Sequence, residues 1–350
     1  MRDFHWQAVQ RGDAPRMQLA VLWEKSVALS YEAPDQKLAI YEQARALAQK
    51  LDEPYWVLFF DHWKIEVLLY EKHRPQEALK LAARAAFEVR KPLYDAFLYR
   101  PQITLSLTAC YLKLDPIGYE KPLREAFDYA RQQCAGHDEL KPYFAQQWSR
   151  FLEAVADPDA VAANWEHLHL AFESGTEHYV LFALVHLCST LASYDLEAAR
   201  AHIGEFAATG LELCVLEDRE REAAMFTMWA AVAARWDGDE ARAQSLYARA
   251  WKLQKRLSSP HNAVQFAAQI FHHDAGEIER ALKVVEDEIG VNARHELKYL
   301  EAKRRLKKLE LLRELGHETE GEARRLQSVA AELKSREYWD ERARLFLSGE

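Results

Sequence analysis

The chain has 350 residues, 49% of them hydrophobic, with a net charge of −9 and only 12 glycines. It holds 54 alanines and 45 leucines against 8 isoleucines and 7 threonines. Ala and Leu favour helices and branched residues favour strands, so sandwiches, barrels and α/β folds are excluded. The acidic balance argues against a nucleic-acid-binding surface, and the missing GxGxxG and GxxxxGK[ST] motifs argue against a phosphate-cradling loop.

The N-terminal stretch MRDFHWQAVQRGD has no apolar signal region, and residues 1–13 read as a cap helix. From residue 14 onward, short Pro, Asp and Gly clusters punctuate the chain. Examples are GDAP at 12–15, DEP at 52–54, ADPD at 156–159, WDGD at 236–239 and GHE at 316–318. Pro suits the first helical turn, Asp the N-cap and Gly the position past a helix end. The stretches between these marks are each patterned as a helix, and the helices pair. First helices of successive hairpins are placed near residues 14, 54, 93, 138, 176, 215, 260 and 292, a mean period near 40. Such a period is the mark of a repeat architecture.

The first helices are apolar nearly all round, as in YWVLFFDHWKIEVLLY (55–70) and AAMFTMWAAVAARW (223–236). A helix covered on both sides has this composition. Trp56, Phe59, Phe60 and Trp63 form one helical stripe, read chiefly as core. The run YVLFALVHLCSTLA (179–192) is too short for a membrane span, which needs about 20 apolar residues. Pro101 is expected to kink the third first helix. The second helices carry small–large–small stripes at i, i+4, i+7. These are Ala78/Ala82/Ala85, Leu123/Phe127/Ala130, Ala199/Ile203/Phe206 and Ala243/Tyr247/Ala250. Small residues let the next helix approach closely. Residues 294–350 are net +2 while 1–293 are net −11, and 336–350 read as a C-terminal cap.

Chemistry-bearing motifs are scarce. Cys110, Cys134, Cys188 and Cys214 are scattered and read as buried small hydrophobes of a reducing compartment, so the expected location is cytoplasmic. His167 and His169 point to different faces, and His272-His273 sits at a helix end, where histidine suits the dipole. No serine lies in GxSxG. Neither a metal, a cofactor nor a catalytic residue is expected. The run KRRLKK (303–308) reads as a solvated face making i,i+4 pairs.

The A-x3-[FYL]-x2-A pattern of the second helices resembles the tetratricopeptide repeat. So do the acidic-Ala entries Glu77-Ala78, Glu197-Ala198 and Glu240-Ala241. The resemblance covers about 14–335. The longer hairpins are similar to the repeats of bacterial peptide-pheromone receptors, or to the signal-sensing domain of large bacterial transcription activators. It implies an all-α, right-handed α-α superhelix of about eight hairpins, running as one solenoid over 1–350, with the first helices on the concave side. Polar residues that interrupt those apolar helices then become groove candidates: Asp61, Lys64, Tyr99, Arg100, Gln147, Arg150, His186, Gln265 and Gln269. Each must pair internally or face a wet groove, because burying a polar group unpaired costs about 1–3 kcal/mol. The expectation is a non-enzymatic scaffold that holds a protein or peptide segment, favouring a partner with basic patches and binding neither nucleic acid nor membrane. The alternative is a receptor that changes conformation on binding a peptide or small ligand.

Overall fold

A computed structural model describes residues 11–29, 33–97, 99–216, 219–256 and 262–347. Seventeen helices and no strand are found among them. The expected cap helix over 1–13 lies outside the described residues except for 11–13. In chain order the helices are α1 (Ala14–Val27), α2 (Pro34–Lys50), α3 (Pro54–Glu66), α4 (Pro75–Glu88), α5 (Arg100–Leu114) and α6 (Glu120–Cys134). They continue with α7 (Lys141–Ala154), α8 (Ala160–Ser174), α9 (Glu177–Tyr194), α10 (Leu196–Leu216), α11 (Glu220–Trp236) and α12 (Glu240–Gln254). The last five are α13 (Asn262–His273), α14 (Ile278–Arg294), α15 (Lys298–Glu314), α16 (Glu320–Ala330) and α17 (Arg336–Arg344).

The sequence punctuation acts as anticipated. Helices α1 to α4 each carry proline in the first turn. Asp13 and Asp239 accept hydrogen bonds from the backbone N–H of Arg16 and Arg242, at 3.2 and 3.1 Å. The corners after α11, α13 and α15 use Gly238, Gly276 and Gly316 at positive φ, where glycine has no steric penalty. Two details differ from the sequence reading. A 3-10 turn occupies Pro92–Tyr94 and the third first helix begins only at Arg100. Pro101 therefore lies in its first turn, where a missing N–H costs nothing, and produces no kink. The end of α3 also widens into a π turn, Val67–Glu71.

The chain forms two compact units, residues 1–114 with 121–140 and residues 115–120 with 141–350. In the first unit α3 packs on α2, α4 and α5. Its core has two clusters, one around Trp56, Phe59, Phe60 and Tyr41 and one around the buried alanine stripe Ala78, Ala82, Ala85. The aromatic stripe of α3 is therefore core, as read from sequence.

In the second unit each helix packs on its chain neighbour, and first helices also meet each other. Helix α9 touches α7, α11 and α13, and α11 touches α13. The core is continuous from Leu168 to Val284, with Trp229 fully buried at its centre. The stripe on α10 runs Ala199, Ile203, Ala207, Gly210 and Cys214. Phe206 stands only half-buried, because i, i+4, i+8 steps follow one face over a long helix better than i, i+7 does.

The C-terminal hairpin returns to the start of this unit. The Tyr299 hydroxyl on α15 donates to the Ala154 carbonyl of α7 at 3.3 Å. Asp115, 2% exposed, accepts from the Ser335 N–H at 2.8 Å and from its hydroxyl at 2.7 Å. Gly118 leaves room for this contact, since a Cβ there would overlap both Asp115 and Lys334.

Candidate functional site

Where α15 comes beside α7, ionisable and polar groups from five helices converge. Glu153 closes α7, Asn164 and His167 lie on α8, Thr190 on α9, Glu288 on α14, and Lys303 and Arg304 on α15. Glu153 Oε1 accepts from the Asn164 amide at 2.8 Å and from the Thr190 hydroxyl. Burial raises its pKa, against the opposing pull of Thr190, Lys303, Asn164 and Arg150. Glu288, 1% exposed, pairs with Arg304 at 2.8 Å, and burial raises its pKa as well. Both carboxylates therefore hold a proton more readily than a surface Glu does.

Lys303 is the distinctive member. Its neighbours in the basic run are all engaged. Arg304 pairs with Glu288, Arg305 with Glu301 and Glu322, Lys307 with Glu310, and Lys308 with Glu286 and Glu322. The pairs run largely to α14 and α16 rather than along the helix, which corrects the picture of a solvated face making i,i+4 pairs. Among the described residues Lys303 makes no hydrogen bond or ion pair. It keeps open surface, yet enough protein surrounds it that burial lowers its pKa; Arg304 adds to the lowering while Glu153 and Glu288 oppose it.

Unpartnered polar atoms accompany the cluster. His167 is fully buried with neither ring nitrogen hydrogen-bonded, and burial holds its pKa at about 4. Its ring centre lies 6.5 Å from that of His186. Asn164 Oδ1 and Gln147 Oε1 have no partner. Gln147, 2% exposed, stands one turn before Arg150, whose charge acts on Glu153. Buried polar groups normally find a partner, so several orphans together mark a place where protein contacts are incomplete.

The sequence-derived candidates divide into three groups. Gln147, Arg150 and His186 fall in or beside this cluster. In the first unit, Asp61 is clamped between Arg45 at 2.7 Å and Arg84 at 3.3 Å, and Lys64 pairs with Glu42. Arg100 binds Asp95 at 2.6 Å and the Tyr129 hydroxyl at 2.9 Å, while Tyr99 packs edge-on against Phe59. These four make their contacts inside that unit. Gln265 lies instead in a cleft formed by α12, α13 and α14, and Gln269 follows one turn later on the same face.

Sequence reading did not single out Glu153, Asn164, Thr190, Glu288 or Lys303, and it set His167 aside because His169 points to a different face. The one signal for Lys303 was the KRRLKK run itself, and Glu153 is one glutamate among many. Among the described residues no group of three or more His, Cys, Asp or Glu could hold a metal, and no helix is long and apolar enough to cross a membrane. All four cysteines are buried and free, and burial pushes the thiols of Cys134 and Cys214 up to about 11 and 12. No protein-family model matches the chain, and a search of curated proteins finds none that matches. What the fold defines is an all-helical protein built from successive hairpins.

Proposed function

We propose that the chain is a non-enzymatic binding protein. In this reading its hairpins coil as a tetratricopeptide-like right-handed superhelix with the first helices inward. A partner segment is held at the cluster joining α7 and α15. One observation carries the proposal: Lys303 is an exposed residue without an ion pair, beside the carboxylates of Glu153 and Glu288. A segment that brings a carboxylate to Lys303 and an N–H donor to Glu153 would satisfy groups that the protein leaves open. The acidic balance of residues 1–293 favours partners with basic patches elsewhere on their surface.

The test is to pan a peptide library against the full chain and then titrate the enriched peptides. Lys303→Met and Glu153→Gln should each weaken binding about tenfold or more, as loss of a charge-assisted contact does. Lys252→Ala, at a distant surface position, should leave binding unchanged. Undiminished binding by both cluster variants sinks the proposal.

The receptor reading is favoured by a different observation. The cluster spans α7 and α15, the same two regions joined by the Tyr299–Ala154 contact, so an occupant would brace both ends of the second unit. A small ligand that alone raises the melting temperature strongly, by mass action on the folded state, would favour the receptor over the scaffold.

A further inference from the structure

Within the second unit, α12, α13 and α14 form a cleft of about 340 Å3. That volume is at the lower end of small-molecule sites, which start near ~300 Å3. Tyr247 and Trp251 from α12, Gln265 from α13, and Arg280, Lys283 and Val284 from α14 form most of its wall. It shares no residue with the Glu153–Lys303 cluster.

The polar groups of the cleft are arranged with one side unsatisfied. Gln265 is 4% exposed and its Oε1 has no hydrogen-bond partner. His272 lies 2.6 Å from Glu277 through Nδ1 and 2.8 Å from the Tyr247 hydroxyl through Nε2. The hydrogen bond from His272 keeps Glu277 below the ordinary carboxylate range, so Glu277 is an ionised acceptor and Nδ1 carries the proton. Burial holds His272 below the ordinary histidine value against the pull of Glu277, so the ring is neutral and Nε2 accepts from Tyr247. The proton of the Tyr247 hydroxyl is thereby committed to His272. Its oxygen accepts from the Trp251 indole N–H.

One acceptor, Gln265 Oε1, therefore awaits an N–H donor, while Tyr247 Oη already accepts from the Trp251 indole N–H. On the rim, Arg280 gives one N–H to Glu277 at 2.9 Å and Lys283 pairs with Asp287 at 2.8 Å. Arg280 keeps further N–H groups for an anion, since its planar fork carries five. Trp251 and Val284 supply an apolar wall. The charged lining is Arg280, Lys283 and Asp287, one more cation than anion, which suits a ligand that brings a carboxylate beside an N–H donor.

We propose that this cleft binds an apolar α-amino acid unit, its nitrogen donating to Gln265, its carboxylate on Arg280, and its side chain against Trp251 and Val284. The unit is either a free amino acid or the C-terminal residue of a peptide, which share this chemistry. Calorimetric titration of the full chain with L-leucine and with N-acetyl-L-leucine separates the two sources. Binding of both identifies a peptide C-terminus, and binding of leucine alone identifies the free amino acid. L-leucinamide, without the carboxylate, should bind about tenfold or more weakly. Arg280→Gln should weaken binding similarly, and its side chain is 65% exposed, so the fold tolerates the change. Gln265→Leu should also weaken binding, whereas Lys303→Met should not. The proposal is overturned if neither leucine nor N-acetyl-leucine binds at millimolar concentration, if leucinamide binds as well as leucine, or if Arg280→Gln has no effect. Because Lys303 takes no part, failure here leaves the proposed function standing, and the reverse holds too.

Discussion

At the scale of single residues, the hairpin corners show how one backbone demand is met in two ways. Gly238, Gly276 and Gly316 meet it with glycine, but the corner after α7 uses Ala156 at φ 54°. An L-residue in that region is strained by roughly 1–2 kcal/mol. Glycine removes the strain and returns about 0.5–1 kcal/mol of it as lost chain entropy. Ala156 is exposed, so no packing opposes the change. Ala156→Gly should therefore stabilise the protein by about 0.5–1 kcal/mol. A denaturant midpoint that rises at constant slope checks it; a lower midpoint would show that the corner is not strained. The same scale explains why Lys303 escaped the sequence reading. A basic run reports charge but not pairing, and only the positions of Glu286, Glu288, Glu301, Glu310 and Glu322 leave Lys303 as the member without a partner.

At the scale of elements, close approach of α10 and α11 rests on a glycine. A Cβ at Gly210 would overlap the ring of Phe226, which is fully buried and cannot yield. Gly204, on the same helix, would only bring a Cβ to 3.6 Å from that of Ala233, ordinary contact. The two substitutions should have opposite signs. Gly210→Ala should destabilise by about 1–3 kcal/mol through overpacking. Gly204→Ala should stabilise by about 0.5–1 kcal/mol through helix propensity. Thermal melts followed by circular dichroism compare them directly, and equal shifts would refute the packing argument. Elements were the most legible level of the sequence, because Pro, Asp and Gly corners impose themselves locally. The start of α5 was misplaced because Pro92 and Pro101 both satisfy a first helical turn, and only tertiary packing selects the second. The face taken by Gln265 was equally hidden. Helix α13 buries the polar Gln265 and Gln269 along with its apolar residues, so polarity there does not mark the outward face.

At the scale of the whole molecule, each unit contains a buried histidine that folding holds neutral, and His272 of the second unit is shifted in the same direction. His62, 5% exposed, sits in the first unit with its Nδ1 2.8 Å from Ser106 Oγ, and His167 lies in the second. Burial sets both pKa values at about 4, whereas the unfolded chain has about 6.5. As pH falls below 6.5 the unfolded state takes up protons that the folded state refuses, and stability drops. The loss saturates once pH passes below about 4, where the folded imidazole also protonates. A shift of this size corresponds to about 3 kcal/mol for each histidine. Asp61, Glu153 and Glu288 act in the opposite sense, since their pKa values are raised by burial and the folded state binds their protons first as pH falls. The net acid limb should therefore be shallower than two histidines alone would give, with its slope between pH 6.5 and 4 set by the difference. His167→Gln removes one titrating group and keeps a polar side chain of similar size. Calorimetric melts over that range should show a flatter slope for the variant, whatever its stability at neutral pH. An unchanged slope would mean that His167 already carries its proton in the folded protein.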